Sequence, residues 1–228
     1  MISIIIPTYN EEEGIGKLIS YLKRYAATET EIIVSDGGSD DATNKIAENA
    51  GALVFNSPDK GRAAQMNNGA AKATGDIFYF VHADSFPPVT FCNDIREAIK
   101  KGFAFGRYQT RFDSHKFLLK LNAFFTRFDL FACYGGDQTL FITRDLFTQL
   151  KGFDASMRIM EDYEIVVRAK QIAEYCILPG KALVSARKYA TNSWWQIQKA
   201  NYTIVKMYRQ GASQEAMIQR YKEMLVYR

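Results

Sequence analysis

Four short clusters of polar side chains in this chain have the composition of a reactive site. They are Thr8, Tyr9, Asn10 and Glu11; the run from Asp36 through Gly37, Gly38, Ser39 and Asp40 to Asp41; His82, Ala83 and Asp84; and Glu161 with Asp162. Asp84 follows a continuous apolar run, Ile77 to Val81. A carboxylate held at the end of a buried strand can ligate a hard cation. Mg²⁺ or Mn²⁺ on one carboxylate and two phosphates would offset charge growing on a diphosphate leaving group. His82 is a second ligand, a diphosphate donor or a packed ring. Glu161 and Asp162 suit a general base, a carboxylate that takes the proton of an attacking hydroxyl. Asp36 can accept a hydrogen bond from a nucleobase or ribose, with Gly37 and Gly38 allowing close approach. Each cluster also has a plain reading. Asp and Gly form turns, Ser39 or Asp40 can cap a helix, Asp84 can be a solvated loop acid, and two acids suit the positive end of a helix. Lys60, Arg62, Arg187 and Lys188 could reach a diphosphate, although a single basic residue is more often a solvated surface charge.

Such residues need a scaffold that brings them together, and the hydrophobic pattern supplies one. Residues 2–6 are β-branched and stop at Pro7, and Ile15, Leu18, Ile19 and Leu22 then recur at helical spacing. Strand 31–35, helix 42–50 and strand 52–56 repeat the alternation, which implies a parallel sheet. A small-residue helix over 62–73 precedes strand 77–81, whose unbroken apolar run suits burial on both faces. After Pro87 and Pro88 the pattern gives a helix to about 101, a strand at 103–110, and an amphipathic helix carrying Phe117, Leu121, Phe124, Phe125 and Phe128. A strand at 139–143, a short helix at 144–150, a helix opening at Glu161, a strand from Pro179 and Gly180 to about 186, and helices over 193–210 and 213–226 complete the chain. In open α/β sheets ligands bind at the carboxyl ends of the strands, where three of the four clusters fall.

Composition sets outer limits. The 228 residues, 47% hydrophobic and 14% aromatic, suffice for one buried core, so a single domain over 1–228 is expected. The 29 Lys and Arg against 25 Asp and Glu leave a net charge of +4, too small and evenly spread for a nucleic-acid partner. Cys92, Cys133 and Cys176 are odd in number and lack metal-ligand spacing, so they read as free thiols in a reducing cytoplasm. No run approaches the roughly 20 apolar residues that span a bilayer. Trp194, Trp195, Ile197, Tyr202, Val205 and Tyr208, flanked by Lys199, Lys206 and Arg209, form a segment suited to core packing, a homodimer interface or peripheral membrane contact.

Taken in order, these residues resemble the family 2 glycosyltransferases, inverting enzymes of the GT-A fold, over nearly the whole chain. Ile4 to Glu12, with Pro7, Thr8, Tyr9 and Glu11, is similar to that family's first strand and nucleotide-binding loop. The Asp36 run resembles its Asp-Gly-Ser turn, whose leading Asp contacts the base. Gly61 and Arg62 followed by Asn67 and Gly69 resemble the helix that approaches the nucleotide. His82, Ala83 and Asp84 occupy the D-x-D position with its first acid replaced, and Asp162 matches the catalytic base of the E-D motif. Gly136, Asp137, Gln138, Gly152, Phe153 and the stretch from Ser185 to Tyr189 are similar to a small soluble bacterial subgroup associated with radical-SAM and selenium-related domains.

The resemblance implies a Rossmann-like α/β fold with a mostly parallel sheet and helices on both faces. It divides the chain into a nucleotide-sugar-binding half, 1–110, and a half for acceptor and catalytic base, 111–228. It implies transfer from a UDP- or GDP-linked sugar to an acceptor hydroxyl with inversion. Asp162 and Glu161 would be catalytic, and Pro7, Thr8, Tyr9, Glu11, Asp36, Gly61, Arg62, Asp84 and Arg187 would hold the donor. Gly135, Gly136, Asp137 and Gln138 would line the acceptor side, and Asp84 would bind Mg²⁺ or Mn²⁺, with His82 a weaker candidate. A nucleotide-sugar-binding module without chemistry is the alternative that His82 leaves open. A sugar nucleotidyltransferase or a dehydrogenase would need a glycine-rich loop after the first strand, where Pro7, Thr8, Tyr9 and Asn10 stand instead.

Overall fold

The computed structural model describes residues 1–135 and 139–226. Its first half alternates strictly: β1 (Ile2–Thr8), α1 (Ile15–Tyr25), β2 (Thr30–Asp36), α2 (Thr43–Asn49), β3 (Leu53–Asn56), α3 (Arg62–Lys72) and β4 (Ile77–Phe80). There follow β5 (Ser85–Phe86), α4 (Phe91–Lys100), β6 (Phe105–Phe112), α5 (Phe117–Phe125), β7 (Leu140–Thr143), α6 (Arg144–Gln149), α7 (Glu161–Ala169), β8 (Tyr175–Val184), α8 (Lys188–Thr191), α9 (Trp194–Arg209) and α10 (Gln214–Met224). The strands form one sheet in the order β3-β2-β1-β4-β7-β6-β8-β5. The first four neighbours are parallel, as the alternation requires, and β6 is also parallel to β8. β7 enters antiparallel between β4 and β6.

Alternation along β1 separates two cores. Ile2, Ile4 and Ile6 meet Leu18, Ile19 and Leu22 of α1 and Phe91 and Ile95 of α4 on one face. Ile5 points the other way, to Ala63 and Met66 of α3, Phe147 of α6 and Ile165 of α7. Each such side chain, fully buried, contributes about 1.5–3 kcal/mol. Helices therefore cover both faces, as expected.

Two breakers proved weaker than their reputation. Pro7 lies inside β1, opposite Ser35, because β4 has already ended opposite Ile5 and asks no donor of residue 7. Pro179 and Gly180 do not start β8 but interrupt it. Tyr108 pairs with Leu178 and Gln109 with Lys181, so the two residues loop out as a bulge in a strand that begins at Tyr175.

The helix α5 departs from expectation more. Its stripe of large apolar residues is real, but it faces outward: Phe117 is 75% exposed, and Leu121, Phe124, Phe125 and Phe128 lie between 39% and 45%. The helix is anchored instead by Leu119, which packs with Tyr189, Ile197, Ala200 and Leu225. α9 spends its own stripe, Ile197, Ala200 and Ile204, inward, leaving Trp195 and Tyr202 outside. Cys92, Cys133 and Cys176 are free thiols. No helix among the described residues is long and apolar enough to cross a membrane.

The small residues of α3 let it lie close to the sheet. A Cβ at Gly69 would come within 2.5 Å of the Ile5 Cγ2 methyl and 3.5 Å of the Ser35 Cβ. Both neighbours are fully buried and neither can swing aside. Gly69→Val should therefore destabilise the protein by about 1–3 kcal/mol, read from urea denaturation. An unchanged midpoint would contradict this close approach of α3 to β1.

Candidate active site

Parallel pairing brings the ends of β1 and β2 side by side, and the loops beyond them are stitched together. Gly37 N donates to Thr8 O at 2.9 Å. Asn10 N donates to Ser39 Oγ at 2.8 Å, Asp40 N to Asn10 Oδ1 at 3.1 Å, Glu11 N to Thr43 Oγ1 at 2.8 Å and Ala42 N to Glu12 Oε2 at 3.0 Å. Asn10 takes a left-handed backbone, φ 53°, to make this turn, a conformation Asn tolerates better than most residues. Gln65 of α3, buried, closes the bottom by donating to Thr8 O at 2.5 Å and Ser35 O at 3.1 Å. Its role had no signal in the sequence, since a helical Gln among alanines reads as surface.

At the centre of these loops Asp36 is fully buried. Its Oδ1 accepts from Thr8 Oγ1 at 2.9 Å and Ser39 Oγ at 2.6 Å, and its Oδ2 from Gly38 N at 2.9 Å and Ser39 N at 2.7 Å. Burial works to raise its pKa, but the hydrogen bonds from Ser39, Thr8 and Gly38 outweigh it and hold the carboxyl below its ordinary value. The carboxylate thus shapes the turn from inside, and Tyr9, 56% exposed, stands on its rim.

On the other side of β1, Asp84 follows the end of β4 and is tied to the end of β8 by Ser185 N, which donates to Asp84 O at 3.1 Å. Arg187 reaches back across the cleft. Its Nη1 and Nη2 donate to Glu11 Oε2 at 3.0 Å and Oε1 at 2.6 Å, and Nη2 lies 3.6 Å from Asp84 Oδ2. The bidentate bond to Glu11 raises the Arg187 pKa despite partial burial, so the cation persists at every physiological pH.

Opposite stands the start of α7. Glu161, 1% exposed, forms an ion pair with Arg62 at 2.6 Å, although the guanidinium does not meet it in hydrogen-bond alignment. A carboxylate this deep needs a cation. Gly61, at φ 119°, turns the chain so that Arg62 heads α3 and points there. Asp162 Oδ2 lies 3.9 Å from His82 Nε2. His82 therefore lies beside the candidate base.

Further residues that sequence reading passed over hold α7 in place. Met160, just before Glu161, has a left-handed backbone, φ 70°, and is packed with Ile204 of α9 and Met217 of α10. Such a conformation costs of order 1–3 kcal/mol and persists where packing over-determines it. Gln214 Oε1, at the head of α10, accepts from Arg158 N at 3.0 Å and Ile159 N at 3.1 Å. The last two helices thus set the direction of the acid pair. Of the expected acceptor residues, a Cβ on Gly135 would lie 3.0 Å from Tyr163 Oη. Gly136, Asp137 and Gln138 lie outside the described residues.

A family model described as "Glycosyl transferase family 2" matches residues 3–158. The chain belongs to glycosyl transferase family 2. Among curated relatives, "Protein RfbJ" of Shigella flexneri is 37% identical over 83 residues, 36% of this chain and 64% of that protein. A dolichol-phosphate mannosyltransferase of Pyrococcus furiosus is 32% identical over 107 residues, 44% of this chain and 30% of that protein. The match thus spans less than two thirds of the length of these relatives. The mannosyltransferase PcManGT of Pyrobaculum calidifontis, solved with GDP-Man and Mn²⁺, superposes with a TM-score of 0.69 at 17% identity, over 98% of this chain and 69% of that one. Glucosyl-3-phosphoglycerate synthase of Mycobacterium tuberculosis, solved with Mn²⁺, UDP and glucosyl-3-phosphoglycerate, gives 0.65 at 16%, over 93% and 80%. These likenesses show the GT-A fold. The family match ends before Glu161, Asp162 and Arg187, whose placement is read from the geometry alone.

Among the described residues no three His, Cys, Asp or Glu side chains form a metal cage. Asp84, with its side chain 29% exposed, keeps part of its carboxylate in solvent. That donor set fits a hard cation which takes most of its oxygens from phosphate and water, the usual habit of Mg²⁺.

Asp36 yields a pH prediction. Its folded pKa is depressed below the unfolded value of about 3.9, so its contribution is present in full above that pH and is lost as pH falls through the folded value. Asp36→Asn should be destabilised by about 1–3 kcal/mol at neutral pH. The gap from wild type, measured by urea unfolding, should narrow below about pH 4. A gap independent of pH would show that the charge of Asp36 is not what orders the turn.

Proposed function

We propose that this chain transfers a sugar from a UDP- or GDP-linked donor to an acceptor hydroxyl, with inversion. The observation that supports this most strongly is that two acid-bearing regions meet: His82, two residues before Asp84, lies 3.9 Å from Asp162, and Arg187 joins Glu11 to Asp84. Asp84 and Glu11 with Arg187 stand on the strand side, and Glu161 and Asp162 stand at the head of α7. In this reading 1–110 is the donor half and 111–228 carries the base and the acceptor side. Pro7, Thr8, Tyr9 and the Asp36 turn receive the base and ribose. Gly61 and Arg62 approach the diphosphate from the head of α3, and Arg187 approaches it from α8. Gly135 lies on the acceptor side.

The reaction is a single displacement. Asp162 accepts the proton of the acceptor O–H, the acceptor oxygen bonds to the anomeric carbon, and the bond from that carbon to the diphosphate breaks through an oxocarbenium-like state. Bound at Asp84, Mg²⁺ or Mn²⁺ would neutralise charge on the departing diphosphate. His82 orients Asp162, and Arg62, paired with Glu161, links the diphosphate to the helix that carries the base.

Asp162→Asn should lower turnover by roughly 10²–10⁴-fold while sparing donor affinity, measured by nucleoside-diphosphate release beside calorimetric titration with UDP, GDP and their sugars. Loss of donor binding in that variant would show the role to be wrong. Asp84→Ala should remove the Mn²⁺-dependent part of nucleotide binding, reproducing the effect of EDTA on the wild type. Nucleotide binding without any diphosphate release from a donor, across acceptors, would favour a binding module without chemistry.

A further inference from the structure

The outward face of α5 has no use in the chemistry above, and its physical character is specific. Phe117, Leu121, Phe124, Phe125 and Phe128 follow one another at helical spacing and are exposed. Their rings are already gathered. The centroids of Phe124, Phe125 and Phe128 lie 5.7 to 6.4 Å apart, and the Arg127 guanidinium covers Phe124 at 4.0 Å. A cleft of about 520 Å³ between Phe117 and Trp194 extends this apolar surface. Monomeric proteins seldom leave so many large apolar side chains together in water without a partner.

The charge around this face says which partner. The net charge of +4 conceals two spans that hold no acid: 114–128, with Lys116, Lys120 and Arg127, and 175–214, with Lys199, Lys206 and Arg209 among its basic residues. The second span includes α9, which packs on Leu119 of α5 and exposes Trp195 and Tyr202, each at 71%. Lys120, Arg127, Lys199 and Lys206 are all exposed. Aromatic and aliphatic side chains flanked by long basic ones are the composition of a helix lying in an anionic lipid interface, with the cations reaching headgroups while the rings enter the acyl boundary. A second copy of the same face is a poor fit, because a two-fold contact would set Lys120 and Arg127 against themselves.

We propose that α5, supported by α9, seats this protein on anionic membrane surfaces. Arg107, buried in β6, ties the residues after α5 to the sheet by donating to Thr126 O at 2.6 Å and Phe128 O at 3.2 Å.

The test is flotation of the purified chain with vesicles of phosphatidylcholine alone and of phosphatidylcholine mixed with phosphatidylglycerol. The chain should float with the mixed vesicles, less so as salt is raised, and stay below with phosphatidylcholine. Phe124→Ser, Phe125→Ser and Phe128→Ser together should abolish flotation with an unchanged circular-dichroism melt. Lys120→Glu with Arg127→Glu, at two exposed sites and checked for an unchanged circular-dichroism melt, should lower partitioning by roughly tenfold or more. Equal binding to both vesicles, binding to neither, or a solution dimer that the phenylalanine substitutions dissolve would overturn the proposal. No donor is needed, so failure here is separate from failure of the catalytic reading.

Discussion

A buried carboxylate holds the ends of β1 and β2 together. Asp36 has no cation against it and instead takes two hydrogen bonds on each oxygen, from Thr8, Gly38 and Ser39. Those donors belong to the ends of both β1 and β2, so one side chain fixes two loops. Everything at the rim follows from that. Asn10 and Asp40 can meet only because the turn is set, Glu11 is aimed toward Arg187 by its loop, and α3 is pressed close enough for Gln65 to cap both strand ends.

The charges lining the cleft are paired within the chain. Arg187 divides itself between Glu11 and Asp84, and Arg62 neutralises Glu161. Both arginines keep much of their side chains in solvent, at 62% and 45% exposed. In the proposed reading, ligand binding replaces one set of ion pairs with another. It avoids the desolvation that would follow from presenting bare acids or bare cations.

Much of this was legible in the sequence, and for a physical reason. The βα alternation from Ile2 to Val81 is local, its periodicities are strong, and the clusters at Thr8, Asp36 and Asp84 follow apolar runs that end where strands end. The E-D pair at Glu161 marked a helix start, and α7 begins there. What failed to show was set by distance. The insertion of β7 between β4 and β6, the looped-out Pro179 and Gly180, and the pairing of β5 with β8 depend on partners far along the chain. So do the ion pairs Arg62–Glu161 and Arg187–Glu11 and the support of Met160 by two C-terminal helices. Periodicity found the stripe of α5 but could not give its direction, because the helix is anchored the other way round through Leu119 and through the bonds of Arg107 to Thr126 O and Phe128 O.

The contact between Glu11 and Arg187 joins positions 176 residues apart. A ribosome emits a chain in one direction at roughly 5–20 residues per second, and long loops close late. The pocket floor, built within the first 84 positions, can therefore form well before its cation exists. Until α8 has emerged, Glu11 and Asp84 face each other as like charges without the guanidinium that later lies between them. The cluster of Glu11, Asp84 and Arg187 thus reaches electrostatic balance only once residue 187 has joined the chain.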